Sequence, residues 1–584
     1  MTASHTSDGT TVSMRPLPSP RYRVHSWQVV LLWVICMAPL LGWGLPTSAY
    51  DPFLFGGEDA WHPDRYGAAA TAQARRERAA GADTDLDPLA ASDRIISLTG
   101  DEAARAAILM RYRLFSRQPD EMITFMALQR MSPRQLDFDP QLYQYGGGYI
   151  YLVGATVGLT SLVGLTEITG DVGAYLSQPE LFARFYIVAR AVTLVFGALT
   201  LIATIKLARR AAGRTAGWIA FGLVAAQPVF ITGVLEAKPH LPAACLLLWA
   251  TLSAVEYQAH RRRRDILRMG LQAGFAFSLV LTGLAGALLW PVLLIMCKDG
   301  ARRKRHDLAL AGLLAIAVYI VTNPYIPYNL LCERAALSSN LANSTAMYSI
   351  ERLPEGLVRV GQLMLESCGP GVVLGGLLAL VWMYIRWPRQ ADLVSVPSLA
   401  LLALCAAIAA GKPAEFARFL LLPAILLGIG TGAVVAALAK YRLGWAILAT
   451  IVAFAVMRTP TYLRSFYVDA RFQHESRLQA AQYIQENAEP GDVIGVLQEP
   501  APYAVPPLDF AHRDVALLPK RDPAHLEHER LPRWLVLTAD DATIRRDAWW
   551  RSHYRLARQF AAHPYELSRI AWANKPTYIC QRAD

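Results

Sequence analysis

Asp120 and Glu121 stand side by side after Pro119 and open an amphipathic run at residues 122–128. Two neighbouring carboxylates repel each other, which can lift one toward base strength useful near neutral pH. The same pair at a helix N-terminus is also an ordinary capping arrangement, stabilised by the helix dipole. Both readings are open on the sequence. Other ionisable residues lie at the ends of apolar blocks. Arg190 sits a little way into one block, Glu236, Lys238 and His240 at a turn between two, and Lys412, Glu415 and Arg418 at another. Charges at membrane depth are costly unless paired or facing a cavity. For Arg190 and Arg418 the bland alternative is snorkelling to lipid headgroups. Taken together, these residues gather positive charge suited to an anionic group such as a lipid phosphate. Between them, residues 137–151 carry Tyr143, Tyr145, Tyr149 and Tyr151 around Gly146-Gly147-Gly148. Tyrosines also gather at membrane interfaces for reasons unrelated to chemistry. The glycines permit close backbone approach, but no Lys-Ser/Thr follows them as in a phosphate-cradling loop.

The elements that must position these residues are apolar blocks. The chain has 584 residues, 54% of them hydrophobic and 18% charged, with mean hydropathy +0.27. A soluble protein of this length carries far more charge. The net charge of +11 sits in short Lys/Arg clusters between apolar blocks, not on one face. That distribution argues against nucleic-acid binding and for loops held on the cytoplasmic side. The blocks at residues 27–49, 185–207, 217–235, 241–257, 270–286, 287–296, 308–322, 371–385, 393–410, 419–439 and 443–457 predict eleven crossings. With the N-terminus inside, the clusters at 206–214, 261–264, 298–305, 386–389 and 440–442 all fall on the cytoplasmic side. Residues 147–165 are apolar enough to span, but a crossing there would flip every later cluster. They read instead as a helix along or dipping into the outer leaflet. Residues 270–296 require a tight turn, expected near Gly286. A cleaved signal peptide, with Thr47-Ser48-Ala49 as its site, is the rival reading of the first block.

The predicted fold class is mainly α: a polytopic membrane protein with an extracytoplasmic α/β domain at its C-terminus. Residues 1–26 form a disordered cytoplasmic tail and residues 27–457 the transmembrane domain. The latter includes a first external loop at 50–184 and a smaller one at 323–366. Residues 458–584 form the soluble domain. Within the first loop, residues 67–93 read as a solvated insertion. In the C-terminal domain, residues 475–488 and 542–561 predict helices and residues 493–497 and 534–538 predict strands. The seven cysteines contain no CxxC pair. Cys332 and Cys368 fall outside the membrane, where a disulfide and two free thiols are both open.

The ordered motifs resemble those of polyprenyl-phosphate-sugar glycosyltransferases of the GT-C type, the protein O-mannosyltransferases and aminoarabinose transferases among them. Pro119-Asp120-Glu121 resembles that family's acidic motif. Residues 145–151, Tyr-Gly-Gly-Gly-Tyr-Ile-Tyr, resemble its Tyr-Pro-x-Leu-Tyr-x-Tyr segment. Arg190 falls where the family has an Arg opening the second span, and residues 417–423 resemble its Arg-Tyr-Leu-Leu-Pro motif. The segment 45–120 is longer than the family's usual loop, and the chain departs from the motif pattern in three further places. Gly146 replaces a Pro, Gly283 replaces a Lys, and residues 236–240 stand where the family has a second acid. The resemblance implies an inverting transfer of a sugar from a polyprenyl-phosphate donor to a protein, lipid or glycan acceptor. The site would face away from the cytoplasm, on a multi-pass protein of the cell inner membrane. Asp120 would be the catalytic base and Glu121 its catalytic companion. Arg190, Lys238 and Arg418 would bind the donor phosphate. Tyr145, Tyr149, Glu236 and His240 would line the substrate site. The spacing demands no metal, although a divalent ion beside His240 and the acids is compatible with it. Two other classes stay open on the sequence: a multi-span transporter, and a non-catalytic scaffold whose C-terminal domain binds partners.

Overall fold

The computed structural model describes residues 25–56, 95–296, 301–332, 352–386, 388–409, 415–439, 441–471, 475–519, 530–538, 542–561 and 572–583, with isolated positions elsewhere. Residues 1–24 of the expected tail, most of the 67–93 insertion and Lys412 lie outside the described residues, and Ser26 already belongs to the first helix.

The chain begins with helix α1 (Ser26–Met37), extended by a 3-10 segment, Ala38–Gly42. The first loop then supplies a short strand, β1 (Ile96–Ser97), and two helices, α2 (Glu102–Leu114) and α3 (Glu121–Arg130). Asp101 caps α2 by accepting from Ala104 N at 2.7 Å, and Arg111 and Arg113 lie in its last turn. Both placements suit the helix dipole. Helix α4 (Gly147–Leu162) follows, and then α5 (Pro179–Ala225). At 1.5 Å per residue α5 would be roughly 70 Å long, more than twice the apolar thickness of a bilayer. It is broken at Ala212 (φ −146°) and Gly213 (φ +83°), within the basic cluster expected between two crossings. Gly213 supplies the left-handed backbone that the break needs. After a second break come α6 (Pro228–Leu235), α7 (His240–His260) and α8 (Arg263–Leu279).

The turn expected near Gly286 lies instead at Val280, whose backbone is extended (φ −164°, ψ 151°). There the carbonyls that would continue the helix have other partners. Leu279 O accepts from Gly146 N at 2.8 Å, and Ser278 O from Asn323 Nδ2 at 3.4 Å. Residues Leu281–Leu288 then wind as a 3-10 helix into Leu289–Ile295.

The remaining helices that matter here are α9 (Ala301–Thr322), α10 (Leu353–Cys368), α11 (Pro370–Arg386), α12 (Leu421–Leu438) and α13 (Ser476–Asn487). Among the described residues four helices are long and apolar enough to cross a membrane: Pro179–Ala225, Lys304–Thr322, Ala417–Leu438 and Gly444–Arg471. There are five if α10 and α11, bent by 108°, form one broken span. Other expected crossings fall on shorter apolar helices, including Ser26–Gly42, Leu281–Ile295 and Ala391–Ala407. The protein is therefore a mainly helical, multi-pass membrane protein. Cys332 and Cys368 are both free thiols.

The C-terminal region carries β2 (Ile494–Val496), β3 (Val515–Leu517), β4 (Trp534–Thr538), β5 (Tyr554–Phe560) and β6 (Thr577–Arg582). The sheet order is β1-β3-β2-β4-β6-β5, parallel among β3, β2 and β4 and antiparallel elsewhere. The three parallel strands are buried along their length, as parallel strands covered on both faces require. The helix expected over residues 542–561 is not formed. A short helix capped by Asp547, Ala548–His553, gives way to β5, which pairs with β6. Cross-strand pairing there overrides the helical preference of Leu556-Ala557-Arg558-Gln559.

The first loop and the C-terminal region share one core. β1 pairs with β3, and Tyr112 Oη donates to Val505 O at 2.8 Å and Pro506 O at 3.1 Å. Arg117 is buried between the carboxylates of Asp469 and Glu475, with Nη2 to Glu475 Oε2 at 2.6 Å.

Candidate active site

Pro119 precedes the first turn of α3, so Asp120 takes the N-cap place and Glu121 the first helical position. Asp120 makes no capping hydrogen bond with its side chain. Its Oδ2 turns instead to Lys238 Nζ at 3.0 Å and to Arg418 Nη1. The capping reading is thus set aside by geometry. The side chain of Asp120 is 20% exposed, so the cluster is accessible from one side. Burial alone would raise this carboxyl, but the Lys238 and Arg418 cations outweigh it and hold Asp120 well below the usual carboxylate range.

Glu121 is placed quite differently. It is fully buried, and its two oxygens accept four hydrogen bonds. Oε1 accepts from Arg190 Nε at 2.8 Å and Ala237 N at 2.7 Å. Oε2 accepts from Arg190 Nη2 at 2.7 Å and Ser116 Oγ at 2.5 Å. Arg190 is also fully buried and donates through Nη1 to Leu41 O at 2.7 Å and Trp43 O at 2.6 Å. Its guanidinium lies 4.7 Å from the centre of the Trp43 ring. These placements correct two expectations. Glu121 has its lone pairs engaged, and Arg190, itself fully buried, has four of its five N–H groups donated to protein acceptors, so neither is presented to a substrate. Their pair ties α1, α3, α5 and the α6–α7 turn together beneath Asp120.

The α6–α7 turn, residues 236–239, brings the other groups in. Glu236 Oε2 lies 3.4 Å from Lys238 Nζ, while Glu236 Oε1 is buried with no hydrogen-bond partner among the described residues. Burial, reinforced by repulsion from Glu121 and Asp120 and opposed by Lys238, raises the Glu236 carboxyl to about 7. His240 packs edge-on to Tyr145 (6.1 Å between ring centres) and to Phe419 (5.6 Å). Tyr145 in turn meets Tyr149 edge-on at 6.2 Å. Both tyrosines are buried, and neither hydroxyl has a hydrogen-bond partner among the described residues. Arg418 enters from a 3-10 segment, Glu415–Leu420, that leads into α12.

Gly146 seats the tyrosine segment. Its N–H donates to Leu279 O, and a Cβ there would stand 1.9 Å from Ser278 O. A proline at this position would lose that hydrogen bond and add bulk where there is no room.

A cavity of about 30 Å³ lies between Glu236, Lys238, His240 and Arg418, with Thr232 on its wall and Ile570 and Trp572 of the C-terminal region at its rim. Of these groups Glu236, Lys238, His240 and Arg418 were expected from the sequence, and Thr232 was not. Ile570 and Trp572 carry no motif, and nothing short of the tertiary fold brings them here. Among the described residues no group of three or more His, Cys, Asp or Glu could hold a metal.

Comparison with known proteins agrees with the motif reading in part of the chain. No curated protein sequence matches it. Among solved structures, ArnT from Cupriavidus metallidurans bound to undecaprenyl phosphate is 13% identical, with 82% of this chain and 96% of that one covered and a TM-score of 0.41. The Archaeoglobus fulgidus oligosaccharyltransferase in complex with Zn and sulfate is 14% identical, covering 76% of this chain and 62% of that one, at a TM-score of 0.34. AglB from the same organism, in complex with an inhibitory peptide and a dolichol-phosphate, is 11% identical over 79% and 65%, at 0.33. Residues 180–327, from α5 to just beyond α9 and including Arg190, Glu236, Lys238 and His240, match the family model described as dolichyl-phosphate-mannose-protein mannosyltransferase.

Proposed function

We propose that the protein is a membrane glycosyltransferase of the GT-C type. It moves a sugar from a polyprenyl-phosphate donor to a protein, lipid or glycan acceptor, with inversion, on the extracytoplasmic face of the cell inner membrane. The observation that carries this reading is the Lys238–Asp120–Arg418 cluster, a partly exposed carboxylate held between two cations. An entering donor phosphate competes with Asp120 for those cations. Lys238 and Arg418 then stabilise the leaving phosphate, whose charge grows as the glycosidic C–O bond breaks. Asp120, relieved of its partners, regains basicity and accepts the proton of the acceptor hydroxyl or amine as that group bonds to the anomeric carbon. The products are the glycosylated acceptor and the polyprenyl phosphate. Glu121 and Arg190 act as positioning residues. Residues 458–584, with the first loop, form the external domain over the site.

One observation favours a second assignment of the base. Glu236 has a free Oε1 in the cavity wall and a carboxyl raised to about 7, suited to proton transfer near neutral pH. Transfer assays with a polyprenyl-phosphate sugar on membranes carrying Asp120→Asn or Glu236→Gln separate the two. Loss of about 10²–10⁴-fold in Asp120→Asn, with normal expression and insertion, supports Asp120. Unchanged transfer in that variant removes it from the mechanism.

A further inference from the structure

A second, larger pocket opens at the other end of the same helices. Its volume is about 690 Å³, and Lys206, Arg209 and Arg210 of α5 line one wall. Arg262, at the N-cap of α8, and Arg264 and Arg268 of α8 line the other. Two acids share the pocket, Glu256 and Asp265. Six cations against two anions leave a formal charge of +4.

The internal pairing does not cancel this charge. Glu256 pairs with Arg210, and with His260 at 3.5 Å. Asp265 lies no nearer than 3.8 Å to either Arg264 or Arg268. Arg209 Nε is buried with no hydrogen-bond partner among the described residues, while its guanidinium lies 5.3 Å from the Trp218 ring centre. Such an N–H calls for an acceptor.

Depth says what kind. Sixteen residues of α5 separate Arg190 from Lys206, and sixteen of α7 separate His240 from Glu256. At 1.5 Å per residue that is roughly 24 Å, nearly the apolar thickness of a bilayer. The pocket therefore stands at headgroup level of the leaflet opposite the Asp120 cluster. Trp249 lies at its apolar edge, its indole N–H donated to Leu199 O and its ring under Lys206 Nζ at 4.7 Å. Tryptophan with a nearby basic residue is an interfacial arrangement. The volume exceeds that of a single phosphate and falls in the range of ligand-sized pockets.

We propose that this pocket binds the phosphate of an anionic phospholipid headgroup in the leaflet opposite the Asp120 cluster. The basic residues of α5 and α8 hold the phosphate, and Trp249 and Leu252 meet the first carbons of the lipid. Native mass spectrometry of the full chain, delipidated and then offered cardiolipin or phosphatidylcholine, tests it. Cardiolipin is retained and phosphatidylcholine is not. The double variant Arg209→Gln/Arg268→Gln retains cardiolipin roughly 25-fold less, at about 5-fold per basic residue removed. Arg386→Gln, in another basic segment, retains it as the parent does. If the double variant fails to fold, Arg264→Gln/Arg268→Gln, at two exposed guanidinium groups, gives the same readout. Equal retention by the pocket variants overturns the proposal, as does equal retention of phosphatidylcholine. Protection of the protein by inorganic phosphate without any lipid retention also overturns it, in favour of a free phosphate ligand.

Discussion

At the scale of single residues, two adjacent carboxylates have opposite fates. Asp120 faces two cations and an opening, whereas Glu121 is sealed among donors. Their replacement should therefore have different signatures. In transfer assays Lys238→Met or Arg418→Gln should lower turnover by about 10²–10³-fold, the usual cost of removing one preorganised charge partner. Glu121→Gln should act mainly through stability, because it strips a buried guanidinium of its counter-charge. One-sided removal of a buried pair typically costs about 3–5 kcal/mol, and the thermal denaturation midpoint of the purified protein measures it. Glu236 sets a pH expectation. Asp120 is already ionised throughout the physiological range, so it contributes no titration near neutrality. Glu236, raised to about 7, loses its proton as pH rises through that value. If Glu236 is the base, the pH–rate profile should climb through about 7 and flatten in Glu236→Gln. A profile of unchanged shape in that variant would remove Glu236 from the proton transfer.

At the scale of elements, the site depends on how closely α4 approaches the ends of α8 and α9. Gly146 N bonds to Leu279 O, and Gly147 N to Asn323 Oδ1 at 2.6 Å. Any side chain at position 146 must push α4 away from α8 and carry Tyr145 and Tyr149 with it. Gly146→Ala should therefore reduce transfer and lower the melting temperature together, whereas Gly158→Ala, in open space on the same helix, should leave both near the parental values. Activity assays and melting curves on the two variants make the comparison.

For the molecule as a whole, the C-terminal region is tied to the first loop by Arg117, which lies against Asp469 and Glu475. The α3 segment that carries Asp120 begins four residues after Arg117. Arg117→Met would leave two carboxylates buried without their cation and should destabilise the protein by about 3–5 kcal/mol. Limited proteolysis should then cut the C-terminal region faster than in the parent protein. Ile570 and Trp572 reach the cavity rim only while that docking holds, so the variant should also lose transfer at temperatures where it is still folded.

Sequence by itself determined the membrane character, the mainly helical class and the ionisable residues around the cavity. Apolar length and charge between blocks are local quantities, and the acid pair, the tyrosine segment and Arg418 are legible as short motifs. Tertiary structure alone decided what each charge does. Arg190 and Arg418 look alike in sequence, yet one is locked to Glu121 and backbone carbonyls and the other reaches Asp120. Three-dimensional packing also moved the turn to Val280, turned residues 554–560 into a strand and brought β1 of the first loop onto β3. Burial, partner choice and strand pairing are set by groups hundreds of residues apart, so no reading of neighbouring residues contains them.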